Sequence, residues 1–353
     1  MTIFGVAGSV ALLFAGLGIQ SSVAGVPSRQ FEQIQQYQLL LAENSSATQQ
    51  EKASLEEMLK GPDIKAYQKI YSKNVDKDFK GKIGLQTVTL MMTDKEDLAP
   101  FIHLQEGQKE LQLKDGAVIT AKLAQLAGIK IGQSLELDGK KIEVAAITEN
   151  YVGHFIYMNQ RSYQKIYGQL PESNTYLVSL QDPSQTSVEK QAGLVMNQAA
   201  VASVFQNASA SRLFDSVASS LNQTMTILVL VSVLLAIVIL YNLTNINVNE
   251  RIRELSTIKV LGFHNKEVTF YIYRETMVLS LVGIILGLVS GFYLHQFLIQ
   301  MISPATILFY PQVAWEVYAL PIGAVLVILI LLGFFVNHHL RKVDMLEALK
   351  SID

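Results

Sequence analysis

The run ILVLVSVLLAIVILYNL, Ile227–Leu243, decides the architecture of this chain. It consists almost entirely of Leu, Ile and Val, and no charged side chain interrupts the sequence between Asp215 and Glu250. A helix needs about 20 predominantly apolar residues to cross a hydrocarbon core of roughly 30 Å, so this interval is long enough to span a membrane. Three more charge-free intervals follow the same logic: Met1–Ser28, the stretch between Glu275 and Glu316, and Val317–Leu340. The third of these holds a helix and a connector. Helices of soluble domains average about 11–12 residues, so four uncharged runs of this length read as spans rather than buried core helices. The whole chain agrees, with 353 residues, 50% of them apolar, and a mean hydropathy of +0.29.

The fold class that follows is membrane α-helical, four transmembrane helices with a mixed α/β extracytoplasmic domain. The expected divisions are a first span at 1–26, an outer domain at 27–221, a second span at 222–248, a cytoplasmic segment at 249–267, a third span at 268–301, an outer connector at 302–316, a fourth span at 317–340 and a cytoplasmic tail at 341–353. Orientation comes from the short loops, because Lys and Arg are retained on the cytoplasmic side. Arg251, Arg253, Lys259, Lys266 and Arg274 lie between the charge-free runs of the second and third spans, and Arg341, Lys342 and Lys350 lie in the tail. The connector from Ser303 to Trp315 has no Lys or Arg. Parity then places 27–221 outside, and Phe309, Tyr310, Trp315 and Tyr318 are expected as interfacial rings at the outer edge. Ser21, Ser22, Ala24 and Gly25 open a competing reading of the first span as a cleaved signal peptide, against which stand the missing basic n-region and the length of the apolar run. An anchor without a cytoplasmic flank also suggests a truncated chain or the downstream half of a longer membrane protein.

Within the outer domain, 29–60 is rich in Gln, Glu, Leu and Ala and reads as a helical stalk ended by Gly61-Pro62. Leu85–Met92 and Lys140–Thr148 carry strand patterns, with Asp138-Gly139 as a turn signal, and Thr120–Leu126 reads as a short helix. The Ala- and Ser-rich stretch 188–221 is expected as a return helix leading into the second span.

Cysteine is absent and the net charge is −2. The first fact removes disulfides and thiolate chemistry; the second gives no basic field for nucleic acid. Glu149, Tyr151 and His154 stand close in sequence, but no second histidine or carboxylate cluster at ligand spacing accompanies them. No HExxH, no GxSxG and no Gly-rich phosphate loop ending in Lys-Ser or Lys-Thr occurs. No catalytic, cofactor or metal residues are therefore expected, and the chain is not expected to hydrolyse ATP itself.

Directly after the second span comes NERIRELSTIKVLGF, Asn249–Phe263. Ile252, Leu255, Ile258 and Gly262 share one broad helical face, while Glu250, Arg253, Glu254 and Thr257 occupy the other. Leu261 and Val260 put apolar groups among the charges. Two readings of this amphipathic helix are open: one that lies along the membrane surface, and one that docks a partner. The stretch resembles the FtsX/MacB-like family of ABC transporter permeases, in which an E-R-x-R-E-(I/L)-x-x-(L/I)-(K/R)-x-(L/I)-G pattern follows the second span. The resemblance covers nearly the entire chain, including the Gly116–Tyr151 region and the closing DMLEALK, Asp344–Lys350. Ser256 and Met345-Leu346 depart from commoner family residues. By resemblance this is the coupling segment that contacts a separate ATP-binding subunit, with Glu250, Arg251, Arg253, Glu254, Lys259, Leu261 and Gly262 in that role. Family members variously extract lipoproteins, expel peptides or antibiotics, or activate cell-wall hydrolases by mechanical signalling.

Gly283, Gly287 and Gly291 recur every four residues on the third span and leave one face bare, suited to close helix packing within the bundle or against a second copy. No Asp, Glu, Lys or Arg interrupts the charge-free runs of the spans, which disfavours an ion-coupled carrier. The expected partners are the ATP-binding subunit, a second permease copy or the other half of a longer permease, membrane lipid and an outer protein.

Overall fold

The computed structural model describes residues 2–79, 84–251, 254, 258, 264–309 and 313–342. The chain divides into two compact units, one of Met1–Ala24, Ala218–Ile302 and Pro311–Asp353, the other of Gly25–Val217 and Ser303–Tyr310.

Among the described residues, four helices are long and apolar enough to cross a membrane and supply the first unit: α1 (Thr2–Ala24), α7 (Asn207–Glu250), α8 (Asn265–Ile302) and α9 (Glu316–Lys342). The first helix is the most enclosed, with Val6, Val10, Leu13 and Phe14 buried. The other three turn most of their Leu, Ile, Val and Phe side chains outward, as lipid permits, since acyl chains are as apolar as the side chains themselves. On α7 the buried stripe is Ser232, Ala236, Leu240, Thr244 and Val248, one residue in every four. Ala236, Leu240 and Val248 join Val6, Val10, Val325 and Leu329 in one cluster.

The second unit is built on a mixed nine-stranded sheet of order β11-β1-β10-β2-β3-β9-β6-β8-β7. Its strands are β1 (Leu39–Glu43), β2 (Ile64–Phe79), β3 (Gly84–Thr93), β6 (Ala117–Thr120), β7 (Ser134–Leu137), β8 (Lys140–Thr148), β9 (His154–Asn159), β10 (Thr175–Leu180) and β11 (Val201–Gln206). A small hairpin, β4 (Gln105–Glu106) and β5 (Lys109–Glu110), stands apart. The β3/β9 and β6/β8 pairs are parallel and the others antiparallel.

Two cores divide this sheet along its strand order. Leu39 and Leu41 alternate inward on β1 and pack with Tyr176 and Val178, with Leu55 of α3 (Gln49–Met58), and with Val188 and Val195 of α6 (Gln185–Met196). The second core gathers Val88, Leu90, Ile119, Val144 and Ile156 against Leu123 of α4 (Ala121–Ala127) and Tyr163 of α5 (Gln160–Tyr167). The sixteen-residue β2 serves both, with Ile64 and Tyr67 at the first core and Tyr71, Val75 and Phe79 at the second. Local chemistry fixes the ends of these elements. Thr48 and Glu51 form a reciprocal capping box at α3. Asp138 and Gly139, at φ 52° and 70°, make the tight β7–β8 turn that the strand twist favours.

Leu85–Met92, Lys140–Thr148 and Thr120–Leu126 match β3, β8 and α4 closely. The helical stalk expected at 29–60 is replaced by α2 (Val26–Ser28), a π-helical turn at Arg29–Ile34, strand β1 and then α3. Helix-favouring composition loses there because β1 pairs with β10 and β11 on its two sides, burying Leu39 and Leu41 completely. The return helix expected at 188–221 is likewise interrupted, since α6 ends at Met196 and β11 intervenes before α7 begins. Phe309, expected as an interfacial ring, is instead a buried side chain of the outer unit. Trp315 is exposed and Tyr318 meets Phe14 edge to face at 5.0 Å; Tyr310 lies outside the described residues.

Candidate functional site

The segment expected to be cytoplasmic begins where α7 ends. Glu250 is the last residue of that helix and is exposed. Arg251 then reaches across to Glu275 of α8 with an Nη2–Oε2 distance of 2.6 Å, tying the end of the second span to the third. Glu254 is helical and exposed, and Ile258 packs on the bundle cluster that contains Val248, Val268 and Tyr273. At the start of α8 the His264 amide donates to Glu267 Oε2 at 2.8 Å, an N-terminal cap for the third span. Arg253, Lys259, Leu261 and Gly262 lie outside the described residues.

The three glycines of α8 face α1. A Cβ at Gly283 would lie 2.8 Å from Val6 Cβ, one at Gly287 would lie 2.6 Å from Val10 Cβ and 2.8 Å from the Ala7 carbonyl, and one at Gly291 would lie 2.8 Å from Phe14 Cβ. Absent side chains thus let the two backbones meet, the arrangement in which dispersion between helices is strongest. From the other side, Gly5 and Gly16 of α1 take up Ile239 and Leu228 of α7.

One ionisable side chain inside a span escaped an inventory limited to Asp, Glu, Lys and Arg. His295 of α8 is fully buried and its Nε2 lies 3.1 Å from Ser22 Oγ of α1. The signal that could have found it is the rule that any titratable group within a span seeks a partner there.

In the outer unit, Glu149 holds backbone rather than a reactive partner: Oε1 accepts from the Gly107 amide at 2.9 Å and Oε2 from the Tyr151 hydroxyl at 3.2 Å. Burial, with the Glu149 charge beside it, pushes the Tyr151 phenol up to about 12. His154 is not joined to this pair. It is buried on β9, neither ring nitrogen has a hydrogen-bond partner among the described residues, and burial and the nearby Lys122 ammonium lower its pKa, so the neutral ring is favoured.

The connector 303–309 packs as part of the outer unit. Lys122, buried on α4, donates to Ser303 Oγ at 3.1 Å, and burial lowers the pKa of that ammonium. Ile307 forms an isolated antiparallel bridge with Val152. At the start of α7, Asn207 is buried and its Nδ2 donates to the carbonyls of Phe31 (3.1 Å) and Gln35 (2.7 Å). Phe214, about two turns further along, meets Phe31 at 5.8 Å between ring centroids.

Residues 1–193 match the family model of the MacB-like periplasmic core domain, more than half of the chain, and residues 226–344 match that of the FtsX-like permease C-terminal part. No curated protein matches the chain. Among solved structures, the periplasmic region of MacB from Actinobacillus actinomycetemcomitans is 9% identical, with 51% of this chain and 92% of that chain covered and a TM-score of 0.31. The extracellular domain of the noncanonic ABC-type transporter YknZ from Gram-positive bacteria is 14% identical, with 48% and 99% covered and a TM-score of 0.29.

Proposed function

Since this chain belongs to the family of FtsX-like permeases with a MacB-like periplasmic core domain, membrane proteins of the cell envelope whose large domain lies outside, we propose that it works as a transmission. ATP binding and hydrolysis in a separate ABC subunit move the cytoplasmic segment 249–262, the spans carry that motion, and the outer unit delivers it to a substrate that is exported or extracted from the membrane. The family itself implies an ABC ATPase partner and oligomerisation; the route of the motion is the proposal.

The observation that carries this reading is the continuity of α7. Its 44 residues run without a break from Asn207, in the outer unit, to Glu250, at the segment that meets the ATPase. A helix is stiff along its axis because every interior backbone group is bonded one turn away, so displacement at one end is felt at the other. The Arg251–Glu275 pair then shares the displacement with α8. A second reading, in which the outer unit drives a protein such as a cell-wall hydrolase and moves no substrate, draws on the exposed apolar side chains Leu194, Met196 and Phe205 on α6 and the edge strand β11.

The test is affinity purification of the detergent-solubilised chain with identification of what accompanies it, comparing wild type with Arg253→Glu/Glu254→Arg. An ATP-binding subunit present with wild type and lost from the variant supports the reading; its absence from both refutes it. Stimulation of the recovered ATPase by a candidate substrate favours export or extraction, and stimulation only by an outer protein favours signalling.

A further inference from the structure

Three stretches of chain connect the outer unit to the spans: 25–34 after α1, 207–217 at the start of α7, and the connector that begins at Ser303. If each were a free tether, motion of the spans would be lost in slack. Buried carboxamides tie them together instead. Gln30 is fully buried; its Nε2 donates to Asn150 Oδ1 at 2.9 Å, and its Oε1 accepts from the amides of Tyr151 (2.7 Å) and Val152 (3.2 Å). Asn150, also buried, donates through Nδ2 to the carbonyls of Val152 (2.7 Å) and Gly153 (3.3 Å). The loop held in this way pairs with the connector on its other side. Leu308 N donates to Tyr151 O and Gly153 N to Thr306 O, both at 2.8 Å. Gly153, at φ 82°, has the backbone conformation that side chains resist.

A glutamine that leaves a membrane span is ordinarily solvated, and removing it then costs little. Here it is enclosed, and its side-chain bonds go to one four-residue loop. Buried polar networks of this kind specify a single geometry, and breaking one strands the partners without hydrogen bonds.

We propose that Gln30 is a positioning residue: through the loop 150–153 it latches the exit of the first span to the connector between the third and fourth, so that the outer unit is driven by the bundle as one input. This inference rests on the transmission reading above. Asn207, bonded to the carbonyls of Phe31 and Gln35, brings the second span into the same frame.

The absence of cysteine allows a clean test. Val152 and Ile307 oppose each other in a wide antiparallel pair, flanked by the two bonds from Leu308 and Gly153. Such a pair brings Cα atoms to about 4.5 Å, within reach of a disulfide. The full chain is reconstituted in nanodiscs with its ATPase subunit, carrying genetically encoded spin labels at Lys165 and Met301, and the ATP-driven shift between their distance populations is read. In Gln30→Leu, ATP hydrolysis persists while that shift falls roughly two- to thirtyfold, the range for residues that carry coupling. Oxidised Val152→Cys/Ile307→Cys in the Gln30→Leu background rejoins only the loop and the connector and leaves the shift reduced. A wild-type shift in Gln30→Leu, or full recovery on oxidation, overturns the latch. The cysteine pair in an otherwise wild-type chain gives a measurement independent of how well Gln30→Leu folds: crosslinking equally fast with and without ATP supports a permanent latch, and slower crosslinking with ATP overturns it. No ATP-driven shift in the wild type refutes the transmission reading itself, before any variant is compared.

Discussion

Replacing Gly287 by alanine adds one methyl group where α8 meets α1. That methyl would sit 2.6 Å from Val10 Cβ, 2.8 Å from Val10 Cγ1 and 2.8 Å from the Ala7 carbonyl oxygen. Non-bonded carbons settle at about 3.5–4.0 Å, so the helices must part by on the order of 1 Å. The carbonyl cannot rotate away as a side chain could. Parting them also loosens the contacts at Gly283 and Gly291, one turn to each side. Overpacking of this kind costs about 1–3 kcal/mol. The internal control is Gly323→Ala on α9, where a Cβ meets nothing within 4 Å, and where loss of glycine's unfolded-state freedom should stabilise by about 0.4–1 kcal/mol. Unfolding is followed by SDS titration in mixed micelles, using helicity and the fluorescence of Trp315, the only tryptophan. Gly287→Ala should unfold at lower SDS than wild type and Gly323→Ala at equal or higher SDS, with the two separated by about 1.5–4 kcal/mol. Equal midpoints for the two variants would refute the close α1–α8 contact.

Other outcomes follow from the outer unit. Burial alone would raise the pKa of Glu43, but hydrogen bonds and charge from Lys52 (2.5 Å) and Lys69 (2.7 Å) carry it below its ordinary 4.5. That contribution is fully present above about pH 4.5 and fades as pH falls through the depressed folded value. Thermal melts of the full chain should show Glu43→Gln less stable by about 1–3 kcal/mol at pH 7, with the gap to wild type closing toward pH 3. Asn207→Leu leaves the carbonyls of Phe31 and Gln35 without their donor and should cost about 1–3 kcal/mol, read as faster amide exchange across residues 31–38. Gly139→Val forces a β-branched residue to φ 70° and should lower the melting midpoint, at a cost of about 1–2 kcal/mol.

Lipid leaves a coarse imprint on sequence, which is why the four spans could be read from charge-free length alone. Strands such as β3 and β8 were legible because their β-branched and apolar residues lie between turn signals. The stretch 29–60 was not, because Gln, Glu, Leu and Ala favour a helix locally and only the pairing of β1 with two distant strands reverses that preference. The polar anchors Gln30 and Asn207 were invisible for a related reason. Carboxamides beside a span read as solvated, and nothing nearby in sequence signals that Gln30 finds its partners 120 residues away. The glycine spacing on α8 implied a close contact but could not say which helix would supply it.

The first and last strands of the outer unit, β1 and β11, lie side by side, with Leu40 opposite Phe205. The chain therefore leaves for the outer unit and returns from it at neighbouring points on one sheet edge. A domain whose ends adjoin can be exchanged as a cassette without respacing the helices that carry it. Evolution could fit one membrane engine with many heads in this way, limited mainly by the short connector that must still find its seat at Val152.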